Sequence, residues 1–542
     1  MTSGHRRIAV LTGLVSTCAL LAACGGSKSH VVDTGATAPA PAVAGRSSAS
    51  SSHLQSILQE DDDLLYTPPK QQYQTLRQIK ALGVDVVKVA LIWRLIAPAQ
   101  KATQPPPFNA ADPSAYPVGV WNRYDLLVEE AHYLGLKVYF QIDPPAPRWG
   151  LSTQFPRGQG KVLGQVPDYD QFNQFVQAVG RRYSGSSHDI HGRAIPRVSM
   201  WGIWNEPNWR NWLNPIHLDV NGITQTSQPM LYRGLVNAAW RGLEQTGHGQ
   251  DTILVGETAN VGSVTPIKFV EDMYCVGPTY RALTGAAATA AGCPTSGDRS
   301  AFVAANPGLF HMSGYAHHPY AFGIPPAQPS RVATELALFN IPHLERVLNG
   351  IFAGYGTSRP GGVPIYLSEW GYVTNPPNPQ YQTSLSQQAT YLNQGEYLMW
   401  REPFVKALAQ FLLTDVPPPP TSSPTPSQWL RTFTTGLIFS NGRPKPALAA
   451  YRLPIWVPAP RPGRRVLVWG QLRPANHSAT QTGMIDFQAQ GSSSWRQLAQ
   501  VSTTSSEGFV LTHVAVPAAG LLRLGWKSPS GPVFYSRSVS LQ

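Results

Sequence analysis

The sequence predicts an α/β protein, a (β/α)₈ barrel followed by a small all-β sandwich. From about residue 53, apolar runs alternate with amphipathic stretches, which is typical of repeated strand–helix units around a parallel sheet. The runs are apolar throughout, as expected for strands whose two faces are both covered. After residue 458 the chain changes to short strands separated by Gly, Ser, Pro and Asn, which is typical of a sandwich.

Residues 1–23 are typical of an export signal. Basic residues precede an apolar run that is too short to span a bilayer comfortably, and the run ends in "LAAC" at Cys24. This box resembles a bacterial lipoprotein signal, which implies a lipid on Cys24 and an anchor at the outer face of the cytoplasmic membrane. The alternative is an ordinary secretory signal, which would release the protein.

Residues 24–52 are rich in Ser, Ala and Gly and predict a flexible tether. Cys275 and Cys293 are the cysteines left beyond the signal and Cys24. In an oxidising compartment we expect this pair to form a disulfide. No cysteine spacing suggests a zinc site, and we expect no metal.

The formal net charge of +12 makes nucleic acid the first partner to consider. Lysine and arginine are not clustered, however, and no nucleic-acid motif is present, so we expect no nucleic-acid partner. The 15 Trp and 21 Tyr offer flat faces of the kind that sugar rings stack on, although many will be core. We expect a monomer.

The barrel is predicted to occupy residues 53–457. Its first strand has only a weak signal, near residues 53–66. Seven further strands are clear: "VDVVKVALIW", "LKVYFQID", "VSMWGIWNEP", "TILVGETA", "HMSGYAHHPY", "VPIYLSEWGY" and "VKALAQFLLTD". Helices are expected between them; in "YDQFNQFVQAVGRRYSG" the apolar residues recur at helical spacing. A doubly wound open sheet is the alternative, but no Gly-rich phosphate loop follows the first clear strand.

The sandwich is predicted to occupy residues 458–542. Its six strands are "RRVLVWGQL", "GMIDFQAQ", "WRQLAQVST", "FVLTHVAV", "LLRLGW" and "VFYSRSVSL". The proline-rich run at 417–427 lies before this boundary. We interpret it as a long loop on the side of the barrel where the strands end.

Polar and aromatic groups stand where four of the barrel strands end, and in such barrels the chemistry sits there. They are Asn205-Glu206, His317 to Tyr320, Glu369-Trp370 and, more weakly, Gln141 and Asp143. Two glutamates suit glycoside hydrolysis, which needs one protonated carboxylic acid and one ionised carboxylate. We expect apolar surroundings to raise the pKa of the acid and hydrogen bonds to keep the nucleophile ionised.

"WGIWNEPNW" resembles the fourth-strand acid/base motif of the clan A glycoside hydrolases, a cellulase-like group that includes families 5 and 39. "PIYLSEWGY" resembles their seventh-strand nucleophile motif. The resemblance covers roughly residues 55–455 and implies a (β/α)₈ fold and retention of configuration. It implies these roles: Glu206 as general acid/base, Glu369 as nucleophile, Asn205 on the sugar's 2-hydroxyl, Tyr320 beside the nucleophile and Trp370 under the sugar.

Other residues are candidates near the site. Adjacent strand histidines point to opposite faces and rarely share a metal, so we expect His318 to contact substrate and His317 to pack in the core. Glu257 also ends a strand and competes for either catalytic role, although we expect it to lie near the site as a polar support. Family members often carry an arginine where this chain has Lys88. Four tryptophans are candidates for the cleft wall, with core packing as the alternative: Trp93, Trp149, Trp204 and Trp209, of which Trp93 and Trp209 are predicted to bind substrate.

Two hypotheses remain. The first is a retaining glycosidase that cleaves an oligo- or polysaccharide, needs no cofactor and is tethered to the membrane. The second is a non-catalytic glycan-binding lipoprotein that keeps the barrel as a scaffold. The sequence leaves the sugar, the linkage and exo or endo action open.

Overall fold

A computed structural model of the protein describes residues 54–154, 165–330, 332, 334–476, 478–528 and 531–542. The signal, Cys24 and the tether lie outside these residues. Within the described ranges, no helix combines the length and the apolar character that crossing a membrane requires.

Eight parallel strands close into a barrel in the order β1-β10-β9-β8-β7-β4-β3-β2. Because β1 pairs with both β2 and β10, the barrel is confirmed and the open sheet is wrong. A hairpin, β5–β6, interrupts the chain after β4 and was not predicted. The strands are β1 (Gln55–Gln59), β2 (Val86–Ile92), β3 (Lys137–Asp143), β4 (Met200–Ile203), β5 (His217–Val220), β6 (Ile223–Thr226), β7 (Thr252–Ala259), β8 (Gly314–His318), β9 (Ile365–Leu367) and β10 (Val405–Phe411).

Helices surround the barrel and bury their apolar faces against it. In α5, the predicted stripe of Phe172, Phe175, Val176 and Val179 is completely buried. The helices are α1 (Asp62–Leu65), α2 (Pro69–Ala81), α3 (Trp93–Ile96), α4 (Asn122–Tyr133), α5 (Tyr169–Arg182), α6 (Gln228–Gln245), α7 (Pro266–Met273), α8 (Gly285–Ala290), α9 (Arg299–Ala305), α10 (Pro307–His311), α11 (Ile341–Gly354), α12 (Leu385–Trp400), α13 (Pro426–Trp429) and α14 (Pro446–Arg452).

The first barrel strand is short, which explains its weak sequence signal. Only five residues, Gln55–Gln59, form β1, and two of them carry polar amides. Long-range bonds fix the strand: the Ser56 backbone N–H and hydroxyl both donate to Asp85 Oδ2, each at 2.8 Å. Tertiary contacts thus determine a strand that its own residues barely specify.

Two antiparallel sheets form the C-terminal β-sandwich and enclose a separate apolar core. One has the order β11-β12-β15; the other has the order β14-β13-β16-β17, with β18 also pairing β16. β11 lies within the range predicted for the barrel but pairs with β12. "VFYSRSVSL", predicted as one strand, forms two. The strands are β11 (Ile455–Trp456), β12 (Arg465–Gln471), β13 (Gln481–Ala489), β14 (Arg496–Thr503), β15 (Phe509–Ala515), β16 (Gly520–Lys527), β17 (Val533–Tyr535) and β18 (Val539–Leu541).

The sandwich packs against the barrel through α12. Trp400 of that helix lies 5.9 Å from Trp469 of β12 between ring centroids and 6.0 Å from Phe509 of β15. Beside these rings, Arg473 Nη2 lies 2.5 Å from Glu396 Oε1, and both side chains are buried. The two units therefore share an apolar contact with a buried ion pair in it.

A disulfide joins Cys275 to Cys293, as predicted. It closes the segment that contains α8, after β7 and before β8. The buried Arg233 of α6 supports this segment by donating from Nη2 to the carbonyls of Ala291 and Gly292, at 2.9 and 2.8 Å.

Candidate active site

The predicted site residues meet at the carboxyl ends of the barrel strands. Asn205 and Glu206 follow β4, His318 ends β8, and Glu369 lies two residues beyond β9. The backbone is strained here, because Trp204, Glu206 and Glu257 have φ of 68°, 39° and 47°. Non-glycine residues rarely adopt positive φ, and such strain concentrates at functional sites.

His318 touches three carboxylates. Its Nδ1 lies 3.1 Å from Glu206 Oε1 and 3.3 Å from Glu369 Oε2, and its Nε2 lies 2.8 Å from Glu257 Oε2. Ionised carboxylates only accept hydrogen bonds, so both ring nitrogens need a hydrogen. Burial opposes the charged ring, but Glu369, Glu206 and Glu257 outweigh it and raise the pKa of His318 to about 9.

Glu257 is fully buried and accepts hydrogen bonds from several side chains. In addition to His318, Lys88 Nζ donates to Oε2 at 3.3 Å and Ser368 Oγ at 2.7 Å, while the Tyr139 hydroxyl donates to Oε1. Burial opposes ionisation, but Lys88, His318 and Ser368 overcome it and lower the pKa of Glu257 to about 2. Glu257 is thus an ionised support beneath the two candidate catalytic residues.

Gly202 of β4 makes room for this buried pair. A Cβ at Gly202 would lie 2.5 Å from the Tyr139 hydroxyl and 2.9 Å from Glu257 Oε1. Both separations are shorter than van der Waals contact, so a larger residue would displace the pair. The glycine of "WGIWNEP" is therefore required by the polar cluster inside the barrel.

Lys88 connects this cluster to the strand that carries Glu369. Its ammonium is completely buried and also donates to the Ser368 carbonyl at 3.2 Å. A lysine lacks the planar fork of an arginine and offers a point charge. Here that charge pairs with Glu257 and bonds the backbone immediately before Glu369.

Glu369 is 8% exposed and is held by Tyr320, whose hydroxyl donates to Oε1 at 2.9 Å. Burial raises the pKa of Glu369 above its ordinary value; His318, Lys88 and Tyr320 lower it, and Glu206 raises it further. The expectation that hydrogen bonds keep this carboxyl ionised therefore meets an opposing effect, because burial raises its pKa more than His318, Lys88 and Tyr320 lower it.

Glu206 is held on both oxygens. Besides the contact of Oε1 with His318, Oε2 accepts a hydrogen bond from Trp212 Nε1 at 3.2 Å. The Trp212 carbonyl in turn accepts a bond from Trp204 Nε1 at 2.9 Å. Sequence reasoning missed Trp212 as a site residue; its signal is a tryptophan six positions after the glutamate, in the loop that folds back over it.

A cleft that is partly open to solvent lies beside these residues and is lined by Trp212 and Glu369 among them. Asn205 lines it, and its Oδ1 accepts a hydrogen bond from Gln141 Nε2 at 2.9 Å. Trp209 is half-buried in the loop after Glu206. The lining residues are Gln59, Asp61, Asp62, Ala90, Ile92, Asp143, Pro144, Asn205, Trp212, Glu369, Phe411, Leu412 and Val416.

Two tryptophans predicted to bind substrate lie in the core instead. Trp93 is completely buried, and its ring stacks on Phe175 of α5 with centroids 5.2 Å apart. Trp370 is 1% exposed and packs against α12, where a Cβ on Gly395 would lie 2.4 Å from the indole. Trp370 therefore faces the helix layer, whereas its neighbour Glu369 lines the cleft.

His317 belongs to the packing around the site. It is completely buried, with Nδ1 2.9 Å from Thr258 Oγ1 and Nε2 2.7 Å from the Leu336 carbonyl. Burial lowers the pKa of His317 to about 3, so the ring is neutral. Of the two adjacent histidines, His318 is the one at the site.

The comparisons with known proteins are distant. No family model matches the chain, and no curated protein sequence does. Among solved structures, a glucosidase from Croceicoccus marinus has a TM-score of 0.47 at 11% identity, covering 91% of this chain and 97% of that one. A monomeric β-xylosidase from Caulobacter crescentus has a TM-score of 0.46 at 14% identity, covering 87% and 96%. The β-glycosidase from Thermosphaera aggregans has a TM-score of 0.42 at 14% identity, covering 74% and 95%.

Proposed function

We propose that the protein is a retaining glycoside hydrolase of an oligo- or polysaccharide, with Glu206 as general acid/base and Glu369 as nucleophile. The observation that carries the proposal is the sharing of His318 Nδ1 by these two carboxylates at the mouth of the barrel. Residues 163 positions apart in the chain, on different strands, meet at one polar atom beside an open cleft. A purely structural role for either glutamate would not explain why both carboxylates contact the same histidine nitrogen.

The two carboxylates contact one atom, which is compatible with the close pairing of retaining enzymes. Glu206 Oε1 lies 3.1 Å and Glu369 Oε2 lies 3.3 Å from His318 Nδ1. Retaining enzymes hold their pair about 5–5.5 Å apart, so that one carboxylate attacks the anomeric carbon directly. The proposal therefore has Glu369 attack that carbon without an interposed water.

In the proposed reaction, Glu369 attacks the anomeric carbon while Glu206 gives its proton to the departing oxygen. The glycosidic bond breaks and a covalent glycosyl–Glu369 ester forms. Glu206, now ionised, removes a proton from water, which attacks the ester and regenerates Glu369. The N–H of His318 at Nδ1 can donate to Glu369 while Glu206 is protonated, and to Glu206 once it is ionised.

Trapping the covalent intermediate tests the proposal. After a screen of nitrophenyl glycosides identifies a substrate, the matching 2-deoxy-2-fluoro glycoside should inactivate the enzyme and add its glycosyl mass to the peptide that carries Glu369. Glu369→Ala should be inactive and recover with azide, giving the azide of inverted configuration. Glu206→Ala with azide should give the retained configuration. Unchanged hydrolysis by both variants would overturn the assignment.

The alternative is a non-catalytic glycan-binding protein. The observation that favours it is Lys88, which is buried beside Glu257 at the position where the resemblance implies an arginine that supports the nucleophile. The same trapping experiment separates the two functions. A binding protein would show saturable binding of a glycan without turnover and without covalent labelling.

We further propose that the protein is exported and held at the outer face of a bacterial cytoplasmic membrane by a lipid on Cys24, acting as a monomer on carbohydrate. The "LAAC" box before Gly25 motivates the anchor. Metabolic labelling with a clickable fatty acid should mark the wild-type protein in the membrane fraction. Cys24→Ala should abolish the label; a labelled variant would contradict the assignment.

A further inference from the structure

One wall of the cleft is formed at the ends of β1 and β3, and its β3 end lies across the barrel from Glu369. Asp143 ends β3, and β3 lies four strands from β9 in either direction around the eight-stranded ring. Asp143 and Glu369 therefore stand on opposite sides of the mouth, and both line the cleft. A sugar whose anomeric carbon lies at Glu369 would direct the far side of its ring toward Asp143.

This wall holds polar atoms that lack partners in the described part of the chain. Asp143 is 8% exposed, and its Oδ1 is buried without a hydrogen bond. Gln59 is 7% exposed; its Nε2 donates to Asp61 Oδ2 at 3.1 Å, which leaves its Oε1 without a bond. Asp61 is itself fixed, since its Oδ1 accepts the Ala90 N–H at 2.6 Å. Buried acceptors without donors are costly, so a ligand that supplies donors here gains affinity.

The cleft as a whole is also acidic. The described lining residues include Asp61, Asp62, Asp143 and Glu369, but neither lysine nor arginine. Burial raises the pKa of Asp143 well above its ordinary value; Lys88 opposes this rise, while Asp61 and Glu257 add to it. A ligand carboxylate placed against this wall would find no cation to pair with, and its desolvation would be uncompensated.

We propose that Gln59, Asp61 and Asp143, the acidic wall, bind the hydroxyl groups of the sugar ring remote from the anomeric carbon and make the site select neutral sugars over uronic acids. This inference rests on the proposed function, because it places the anomeric carbon at Glu369. Sugar hydroxyls can donate hydrogen bonds to carboxyl and amide oxygens, and they bring no charge into the buried cleft.

The test compares matched substrates that differ only at carbon 6. For the neutral hexoside that the screen identifies, the nitrophenyl uronide of the same configuration replaces its CH₂OH by a carboxylate. We expect kcat/KM of the wild type to favour the neutral substrate by at least ~10³-fold. Asp143→Asn keeps the shape and replaces the carboxyl by an amide, whose N–H can donate to a uronate carboxylate; it should lower kcat/KM on the neutral substrate about tenfold or more and narrow the preference for the neutral substrate at least tenfold.

The control is Glu244→Gln, which removes one carboxylate from the exposed outer surface of α6 and should change neither value. If Asp143→Asn does not fold, Gln59→Leu tests the same wall without changing its charge. It should reduce kcat/KM on the neutral substrate and leave the preference intact. Equal turnover of both substrates by the wild type would overturn the proposal, as would an unchanged preference in folded Asp143→Asn.

Failure of the proposed function has a different signature. In that case no nitrophenyl glycoside of either charge is hydrolysed and no fluoro sugar labels Glu369. Binding then tests the wall directly: glucose should raise the melting temperature at millimolar concentration and glucuronate should not. Equal stabilisation by the two sugars would refute the selectivity even without turnover.

Discussion

Glu257 binds His318 at 2.8 Å on the ring edge opposite to the one that faces the candidate catalytic carboxylates. The contact fixes the orientation of the ring and requires a hydrogen on Nε2, because an ionised carboxylate only accepts. The hydrogen on Nδ1 is then directed at the pair that performs the proposed reaction. Glu257, which the sequence leaves as a rival for either catalytic role and predicts as a polar support near the site, is one of three carboxylates that keep this imidazole charged, after Glu369 and Glu206, and it is the one that fixes the orientation of the ring.

The first prediction concerns Glu257→Gln. The loss of one negative charge removes a cause that raises the pKa of His318, so that pKa falls from about 9. The alkaline limb of kcat/KM should therefore move to lower pH, and kcat should drop by about 10–100-fold while KM changes less. Glu244→Gln is the control. A lower kcat with an unmoved alkaline limb would mean that Glu257 acts only through packing.

The second prediction concerns Tyr320→Phe. The lost hydroxyl donates to Glu369 Oε1 at 2.9 Å and lowers the pKa of that carboxyl. Without it the pKa of Glu369 rises, so the acid limb of kcat/KM should shift to higher pH, and kcat/KM at neutral pH should fall by about 10–100-fold, as for a hydrogen bond to a charged group.

Tyr372→Phe is the matched control for this variant. Tyr372 is also buried, but its hydroxyl donates to the Ile324 carbonyl at 2.8 Å. Its loss should reduce stability and leave the pH profile of kcat/KM in place. The same shift of the acid limb in both variants would contradict the inference that the Tyr320 hydroxyl lowers the pKa of Glu369.

The barrel and the two glutamates could be predicted because both depend on local sequence. Seven strands are continuous apolar runs, and the glutamates follow two of them within short motifs. The sequence predicts Glu257 as a polar support near the site, but its contacts could not be predicted, because they depend on a bulge. Between Val255 and Thr258 the register with β8 shifts, and the extra residue places Glu257 where an unbroken alternation would not.

The directions in which the tryptophan side chains point could not be predicted from the sequence either. A composition rich in tryptophan predicts stacking surfaces, but the indole direction is set by neighbouring helices. Trp93 starts α3 and packs on α5, and Trp370 fills the space left by a glycine of α12. Trp212, in a loop without periodicity, bonds Glu206 only because that loop folds back.

The third prediction separates these roles. Trp212→Phe removes the donor to Glu206 Oε2 and should lower kcat by about tenfold. Trp93→Phe should leave KM unchanged and lower the free energy of unfolding by about 1–3 kcal/mol through imperfect packing. Steady-state kinetics and urea unfolding measure the two effects. A raised KM in Trp93→Phe would indicate that the Trp93 ring contacts the substrate after all.

The fourth prediction concerns pH and stability. The pKa of His318 is about 9 in the folded protein, above the ordinary value near 6.5. A group whose pKa is higher in the folded than in the unfolded protein stabilises the folded state fully at pH values below its unfolded pKa. This stabilisation is lost as the pH rises through the folded pKa. The stability advantage of wild type over His318→Gln should therefore shrink by about 3 kcal/mol between pH 6 and pH 10. Urea unfolding measures it; a constant difference would contradict the raised pKa.

The last prediction concerns the contact between barrel and sandwich. Arg473 and Glu396 are 3% and 8% exposed at the side chain, so each depends on the other for compensation of its charge. Arg473→Met leaves Glu396 buried and unpaired, which should cost about 3–5 kcal/mol. The double variant Arg473→Met, Glu396→Leu removes both charges and should recover most of that loss, because no buried charge is then left without a partner. Calorimetry should give one unfolding transition for the wild type and the double variant, and a lower or split transition for the single variant. If the single and the double variant show the same unfolding transition, the ion pair is not what couples the barrel to the sandwich.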